Sequence, residues 1–341
     1  MQAKSRFLQA CRREPTAATP VWFMRQAGRY LPEYRALRRD HSILELCHQP
    51  ELATQVTLQP VGRLGVDAAI VFADILLPFE PLGLGLSFAA GEGPHIANPI
   101  RHPAHVARLP AVDPEEALGY VLETIRLVAR ALPAEVPVIG FAGAPFTLAS
   151  YAIEGGSSRN FAATKSFMYS ETAAWHTLME RLAELTGRYL AAQARAGAGA
   201  VQLFDSWVGC LAPEDYRAYV APHSRRALEL ARGGGAPVIH FGTGTAGFLE
   251  DFSGAGGDVI GIDWRLPLDA AWDRLRPDQA IQGNLDPLTL LAPPDTLAAR
   301  VRDILARAAG RPGHIFNLGH GVLPETPIEA LQTVVELVHG C

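Results

Sequence analysis

The chain has 341 residues, 48% of them hydrophobic, with 30 basic and 35 acidic side chains and a formal charge of −5. That balance offers no broad positive field to nucleic acid or an anionic membrane surface, and no apolar run approaches the roughly 18 residues of a membrane span. Its four cysteines (Cys11, Cys47, Cys210, Cys341) are scattered without the close spacing of a zinc or redox motif, which fits a reduced, cytoplasmic compartment. Residues 2–13 read as a short amphipathic helix. Residues 21–24 are an apolar run with the look of a buried strand. The chain then turns abruptly basic, with Arg25, Arg29, Arg35 and Arg38, interleaved Trp22, Phe23, Tyr30 and Tyr34, and Gly28 free to bend. A solvated basic turn is the plain alternative. The repeated use of arginine favours an anion site, because its planar fork grips carboxylates and phosphates bidentately.

Helical segments are expected near 42–48 and 51–64. Residues 67–74 (DAAIVFAD) form a buried strand ending on Asp74. The Pro- and Gly-rich stretch 75–103 is too long for a plain connection and is expected to be functional or a small hairpin. A helix with acids in its first turn covers 113–132. Strands at 136–141, 200–205, 237–241, 259–262, 280–283 and 314–318 then alternate with helices, including 145–154, 171–196, 213–232 and a closing 327–339. Counting 21–24, there are eight short apolar strands. Continuous apolar strands indicate burial on both faces, as in a parallel sheet. Eight such units predict a single (β/α)8 TIM barrel, one domain over 1–341, with its active site at the C-terminal ends of the strands. A doubly wound sheet is the alternative, but no Gly-x-Gly-x-x-Gly follows an early strand.

The residues that follow the strands are Arg25 and Arg29, Asp74, residues 143–145, Ser206 and Trp207, residues 242–244, Asp263, Asn284 and His320. Pattern alone does not say which chemistry they serve. Asp74 either caps the next turn or presents a carboxylate with about four acceptor sites. His240, inside a strand, reads as structural, and Asn284 and Asp286 as wall or loop-closing residues.

Residues 20–34 (PVWFMRQAGRYLPEY) resemble the N-terminal signature of uroporphyrinogen decarboxylases. FADIL at 72–76, GAPFTL at 143–148, LFDSW at 203–207, HFGTG at 240–244, QGNLDP at 282–287 and NLGHG at 317–321 resemble further motifs of that family, in family order. The sequence EGGSSR at 154–159 departs where the family often shows a third glycine and a lysine. The resemblance implies decarboxylation of the four acetates of uroporphyrinogen III to give coproporphyrinogen III. It implies that Asp74 receives the four pyrrole N–H groups and stabilises the protonated ring, which serves as its own electron sink and so requires no cofactor. Arg25, Gln26, Ala27, Gly28, Arg29 and Arg38 would meet the substrate, with Arg25 and Arg29 catalytic beside Asp74. Tyr151, Ser206 and His320 would hydrogen-bond its carboxylates. A homodimer is also implied. Two rivals are a zinc methyltransferase of the same barrel superfamily and a non-catalytic tetrapyrrole-binding protein. The first lacks a cysteine two residues after His240, leaving no thiolate set. The second is expected to have lost Asp74 or the arginines, which are all present.

Overall fold

Seven apolar runs form a single parallel sheet in a computed structural model that describes residues 5–88 and 93–340. Residues 2–4 of the expected first helix and Cys341 lie outside the described residues. The strands of the chain are β1 (Ala69–Ile70), β2 (Leu86–Phe88), β3 (Pro94–Ile96), β4 (Val138–Gly143), β5 (Ala200–Asp205), β6 (Val238–Gly242), β7 (Val259–Gly261), β8 (Ala280–Gln282) and β9 (His314–Ile315). The parallel order is β1-β4-β5-β6-β7-β8-β9, each strand beside the next parallel strand of the chain, as a barrel requires. β2 and β3 pair antiparallel as the small hairpin expected within 75–103.

The expected first strand, 21–24, is reduced to a bridge, yet it joins the two edges of the sheet. On the β9 side Phe316 donates its N–H to the carbonyl of Pro20 at 2.8 Å and Trp22 donates to that of Phe316 at 3.3 Å. On the β1 side Asp67 donates to the carbonyl of Val21 at 2.8 Å. No longer ladder forms because side chains take the other donors. Val21 N–H goes to Asp67 Oδ2, Phe23 N–H to Gln26 Oε1 and Met24 N–H to Asn317 Oδ1.

The barrel interior is filled by Ile70, Ile139, Ile239, Phe241, Val259, Ala280 and Ile315 together with Trp22 and Met24. Fully burying an Ile or Phe contributes about 1.5–3 kcal/mol. Helix Arg6–Cys11 adds Phe7, Ala10 and Cys11 to the same cluster beside the strand starts Ala68, Ala200 and Ala280, closing the N-terminal end. The opposite end is left for the site. A larger cluster fills the layer between sheet and outer helices. Among the described residues no helix is long and apolar enough to cross a membrane.

Asp67 is the clasp of the closed end. Besides Val21 N–H it meets Arg6 Nε at 3.0 Å and His339 Nε2 at 2.8 Å, tying the first helix, the closing segment and the last helix together. It is 6% exposed. Asp67→Ala is expected to cost about 2–4 kcal/mol, below the 3–5 kcal/mol of a fully buried pair because Arg6 is partly solvated. Chemical denaturation measures this, and an unchanged midpoint would show the clasp to be idle.

Three helical expectations are corrected. Residues 113–132 split into Pro114–Ala117 and Gly119–Ala131, because the backbone of Leu118 (φ −116°, ψ 26°) leaves the helical range. Residues 213–232 break into Pro213–Asp215, a π-helical turn Tyr216–Val220 and helix Ala221–Arg232, because Pro222 has no N–H to donate to the preceding turn. Residues 32–40, read as part of a basic loop, are helical. Tyr34 is the only buried side chain of Pro32–Asp40, so its charges hide the apolar period.

Candidate active site

The segment that closes the barrel also aims the arginine loop. Asn317 accepts Met24 N–H at 3.1 Å, and Val322 donates its N–H to the carbonyl of Met24 at 2.9 Å, so both polar groups of Met24's backbone are held by the loop after β9. The chain then turns at Arg25, whose φ of +59° is left-handed. Such a conformation is unusual for a side chain of this size and clusters at functional sites. Gly28, expected to supply the bend, has an ordinary φ. Its missing side chain serves close approach instead, since a Cβ there would lie 3.1 Å from the carbonyl oxygen of Arg25.

Gln26 faces away from the cleft. Fully buried, it accepts from Phe23 N–H at 3.3 Å and donates to the carbonyl of Ala68 at 3.1 Å, so its side chain anchors the loop. Arg35 is exposed but donates Nη1 to the carbonyls of Arg29 and Tyr30 at 2.8 and 3.0 Å. It clasps the loop from helix Pro32–Asp40. The same helix brings Tyr34 and Arg38 to the cleft.

Arg25, Ala27, Gly28, Arg29, Arg38, Asp74, Tyr151, Ser206 and His320 converge on one cleft of about 480 Å³ at the C-terminal ends of the strands. Its floor is apolar: Phe141 of β4, Phe204 of β5 and Phe241 of β6 stand edge to face at 5.5 and 5.6 Å. The β2–β3 hairpin adds Phe88 and Pro94 to the rim. It is held there by Ile96 N–H on the carbonyl of Gly155 and Ile100 N–H on that of Ala152, at the end of helix Pro145–Glu154, which carries Tyr151. Among the described residues the guanidinium groups of Arg25 and Arg29 have no protein acceptor, so their donors are left for a ligand.

Asp74 is half-buried beyond β1. Its Oδ1 accepts Leu76 N–H at 2.8 Å. The carboxylate thus caps the turn with one oxygen, and that bond orients the group within the cleft wall. Capping and ligand binding are compatible here. Burial raises the Asp74 pKa, opposed by the Leu76 N–H and then by the charge of Arg25. His320 is held down to about 4, by burial first and then by Arg25 and Arg265, so its ring is neutral near pH 7. Its Nδ1 accepts Gly321 N–H at 2.7 Å, which places the ring proton on Nε2 as a donor. The Tyr151 pKa is raised by burial and by Asp74, keeping its hydroxyl protonated. The cleft therefore combines an apolar floor, one carboxylate, three arginines and neutral hydroxyl and imidazole donors.

His240 is wholly buried and stacks on Phe252 at 3.7 Å. Asn284 donates to the carbonyls of Asp263 and Leu266 at 2.8 and 2.7 Å and closes that loop. Among the described residues no three His, Cys, Asp or Glu side chains gather as metal ligands.

Sequence reasoning missed a support beneath the wall. Asp205, ending β5, is fully buried. Its Oδ1 accepts from Thr147 Oγ1 at 2.8 Å, and Oδ2 has no partner among the described residues. Thr147 Oγ1 in turn accepts Trp207 N–H at 3.3 Å, linking the Ser206 turn to the Tyr151 helix. Both residues lie inside the 143–148 and 203–207 motifs, the one signal that pointed to them. Burial pushes the Asp205 pKa up to about 7 against the Thr147 bonds. A folded pKa above the unfolded one means stability present below about pH 4 and lost as pH rises through about 7. Asp205→Asn is thus expected to gain on the wild type between pH 5.5 and pH 8, by about 1.4 kcal/mol per pH unit up to pH 7. Thermal unfolding at the two pH values reads this, and a pH-independent difference would mean Asp205 stays ionised in the fold.

A closed parallel barrel whose strand-end cleft gathers one carboxylate and three arginines has the build of an α/β-barrel enzyme. The family model "Uroporphyrinogen decarboxylase (URO-D)" matches residues 2–341, and the chain belongs to that family. It is 58% identical over 335 residues to a uroporphyrinogen decarboxylase of Sorangium cellulosum, covering 98% of this chain and 96% of that protein. It is 57% identical over 341 residues to one of Chloroflexus aggregans, covering 99% and 96%. Among solved structures, a methyltransferase from Methanosarcina mazei superposes with a TM-score of 0.79 at 17% identity, covering 97% of this chain and 96% of its own. That likeness shows a shared barrel fold.

Proposed function

We propose that this chain decarboxylates the four acetate side chains of uroporphyrinogen III to methyl groups, releasing coproporphyrinogen III and carbon dioxide. The observation that carries the reading is Asp74, a carboxylate tied by one oxygen to Leu76 N–H in a cleft shared with Arg25, Arg29 and Arg38. An acceptor-only group suits four pyrrole N–H donors. An apolar floor of three phenylalanines suits the macrocycle, and the guanidinium groups of Arg25 and Arg29, with no protein acceptor among the described residues, suit its carboxylates.

In the reaction a proton adds to a pyrrole carbon, and the ring becomes cationic. The bond to the carboxylate carbon then breaks, its electron pair flows into the ring, and carbon dioxide leaves. A second proton converts the resulting methylene to a methyl and the first is lost, so each cycle takes up one proton net. Asp74 supplies the counter-charge to the cation. Arginine is a poor acid, so Arg25 and Arg29 hold carboxylates and orient the proton source, while His320 Nε2–H, Tyr151 and Ser206 donate to the remaining carboxylates. The rival zinc-dependent methyl transfer lacks support in the ligand set around His240.

The proposal includes a cytoplasmic homodimer. Family membership and the free thiols Cys11, Cys47 and Cys210 support it. The test is turnover of uroporphyrinogen with coproporphyrinogen as the readout, before and after dialysis against a strong chelator, with the oxidised planar porphyrin as control. Chelator-resistant conversion of the reduced substrate alone is expected. No conversion, or a loss that zinc restores, would overturn the reading.

A further inference from the structure

We propose that Gly321 is a positioning residue for Arg25, its missing side chain forming the slot that directs the guanidinium into the cleft. The proposal rests on the reading of the cleft given above. A Cβ built on Gly321 would lie 2.4 Å from Cδ, 2.6 Å from Cγ and 3.0 Å from Nε of Arg25, and these are its three nearest atoms. The aliphatic stem of Arg25 therefore runs directly over the backbone at 321. The obstruction falls on the middle of the side chain, so relieving it means re-aiming the charged end.

Gly321 has no other evident need to be glycine. Its φ is not left-handed, so its backbone would accept alanine. Gly319 in the same turn differs, because a Cβ there would lie 2.7 Å from the backbone nitrogen of Trp264. Arg25 in turn has little freedom to escape. Its φ of +59° is set between Met24, held at both polar backbone groups, and the buried anchor Gln26. The stem is pinned from its own chain on one side and by the 321 backbone on the other. From that position its charge reaches Asp74, Tyr151 and His320 together.

The test is a double-mutant cycle of Gly321→Ala and Arg25→Ala, read by kcat/KM for uroporphyrinogen and by thermal unfolding. Gly321→Ala alone should lower kcat/KM about 100-fold, the scale of a misplacement near 1 Å, and should lower Tm. In the Arg25→Ala background, where the stem is gone, the same change should alter kcat/KM less than about twofold and leave Tm unchanged, the non-additivity of residues in contact. Equal effects in both backgrounds, or a double variant that does not fold, would overturn the proposal. If Arg25→Ala alone kept full activity, the cleft reading would fail instead, and coupling in Tm would still decide whether Gly321 positions Arg25.

Discussion

Asp74→Asn is expected to lose at least 10²–10³-fold in single-turnover decarboxylation, the range seen on removing one preorganised electrostatic partner, while keeping its melting temperature. The structure explains why the two readouts separate. Oδ1 of Asp74 caps Leu76 N–H, and an asparagine oxygen can accept that bond equally well. The cap, and with it the turn after β1, survives. What changes is the other half of the group, where a carboxylate oxygen becomes an amide N–H₂ facing pyrrole N–H donors. Two donors then oppose each other, and the ring cation loses its counter-charge in a half-buried cleft. Asp74→Glu keeps the charge but moves it by one methylene, so it should bind substrate and turn over poorly. Near-normal turnover in Asp74→Asn, or a loss that merely follows a lowered Tm, would reduce Asp74 to a turn cap.

Arg29→Lys should lower kcat/KM about 10- to 100-fold, corresponding to one charge-assisted hydrogen bond at 1.5–3 kcal/mol, with stability unchanged. Arg29 is exposed on the cleft and its guanidinium has no acceptor among the described residues, so the fold asks nothing of it. Lysine preserves the charge and loses the fork. Arg35→Lys is the informative control. Arg35 bridges the carbonyls of Arg29 and Tyr30, so its loss should loosen the loop, lowering Tm while reducing turnover less. Comparable turnover and affinity in the two variants would mean that the loop acts only as a diffuse positive field.

The barrel and most of its cleft were legible in the chain because both rest on local pattern. Continuous apolar strands such as 138–143 and 200–205 can only be buried on two faces, and in a parallel barrel their polar successors must gather at one end. Asp74, Ser206 and His320 fall on the cleft for that reason, whereas Tyr151, inside helix Pro145–Glu154, was pointed to by the family resemblance alone. Several other features depended on partners far away in sequence, which no local pattern encodes. Val21 and Met24 surrender their N–H groups to Asp67 and Asn317, so the first strand becomes a clasp. Gln26 turns inward to the carbonyl of Ala68, leaving its neighbours Arg25 and Ala27 on the cleft. Asp205 finds Thr147 across the strand-end gap, and the stem of Arg25 finds the bare backbone of Gly321. Composition and periodicity determined which polar residues gather at the strand ends, and the family motifs pointed to those that could serve a polyanion. Only tertiary contact decided which of them face it and which hold the others in place, because a buried donor or acceptor must be satisfied by whatever the closed barrel brings beside it.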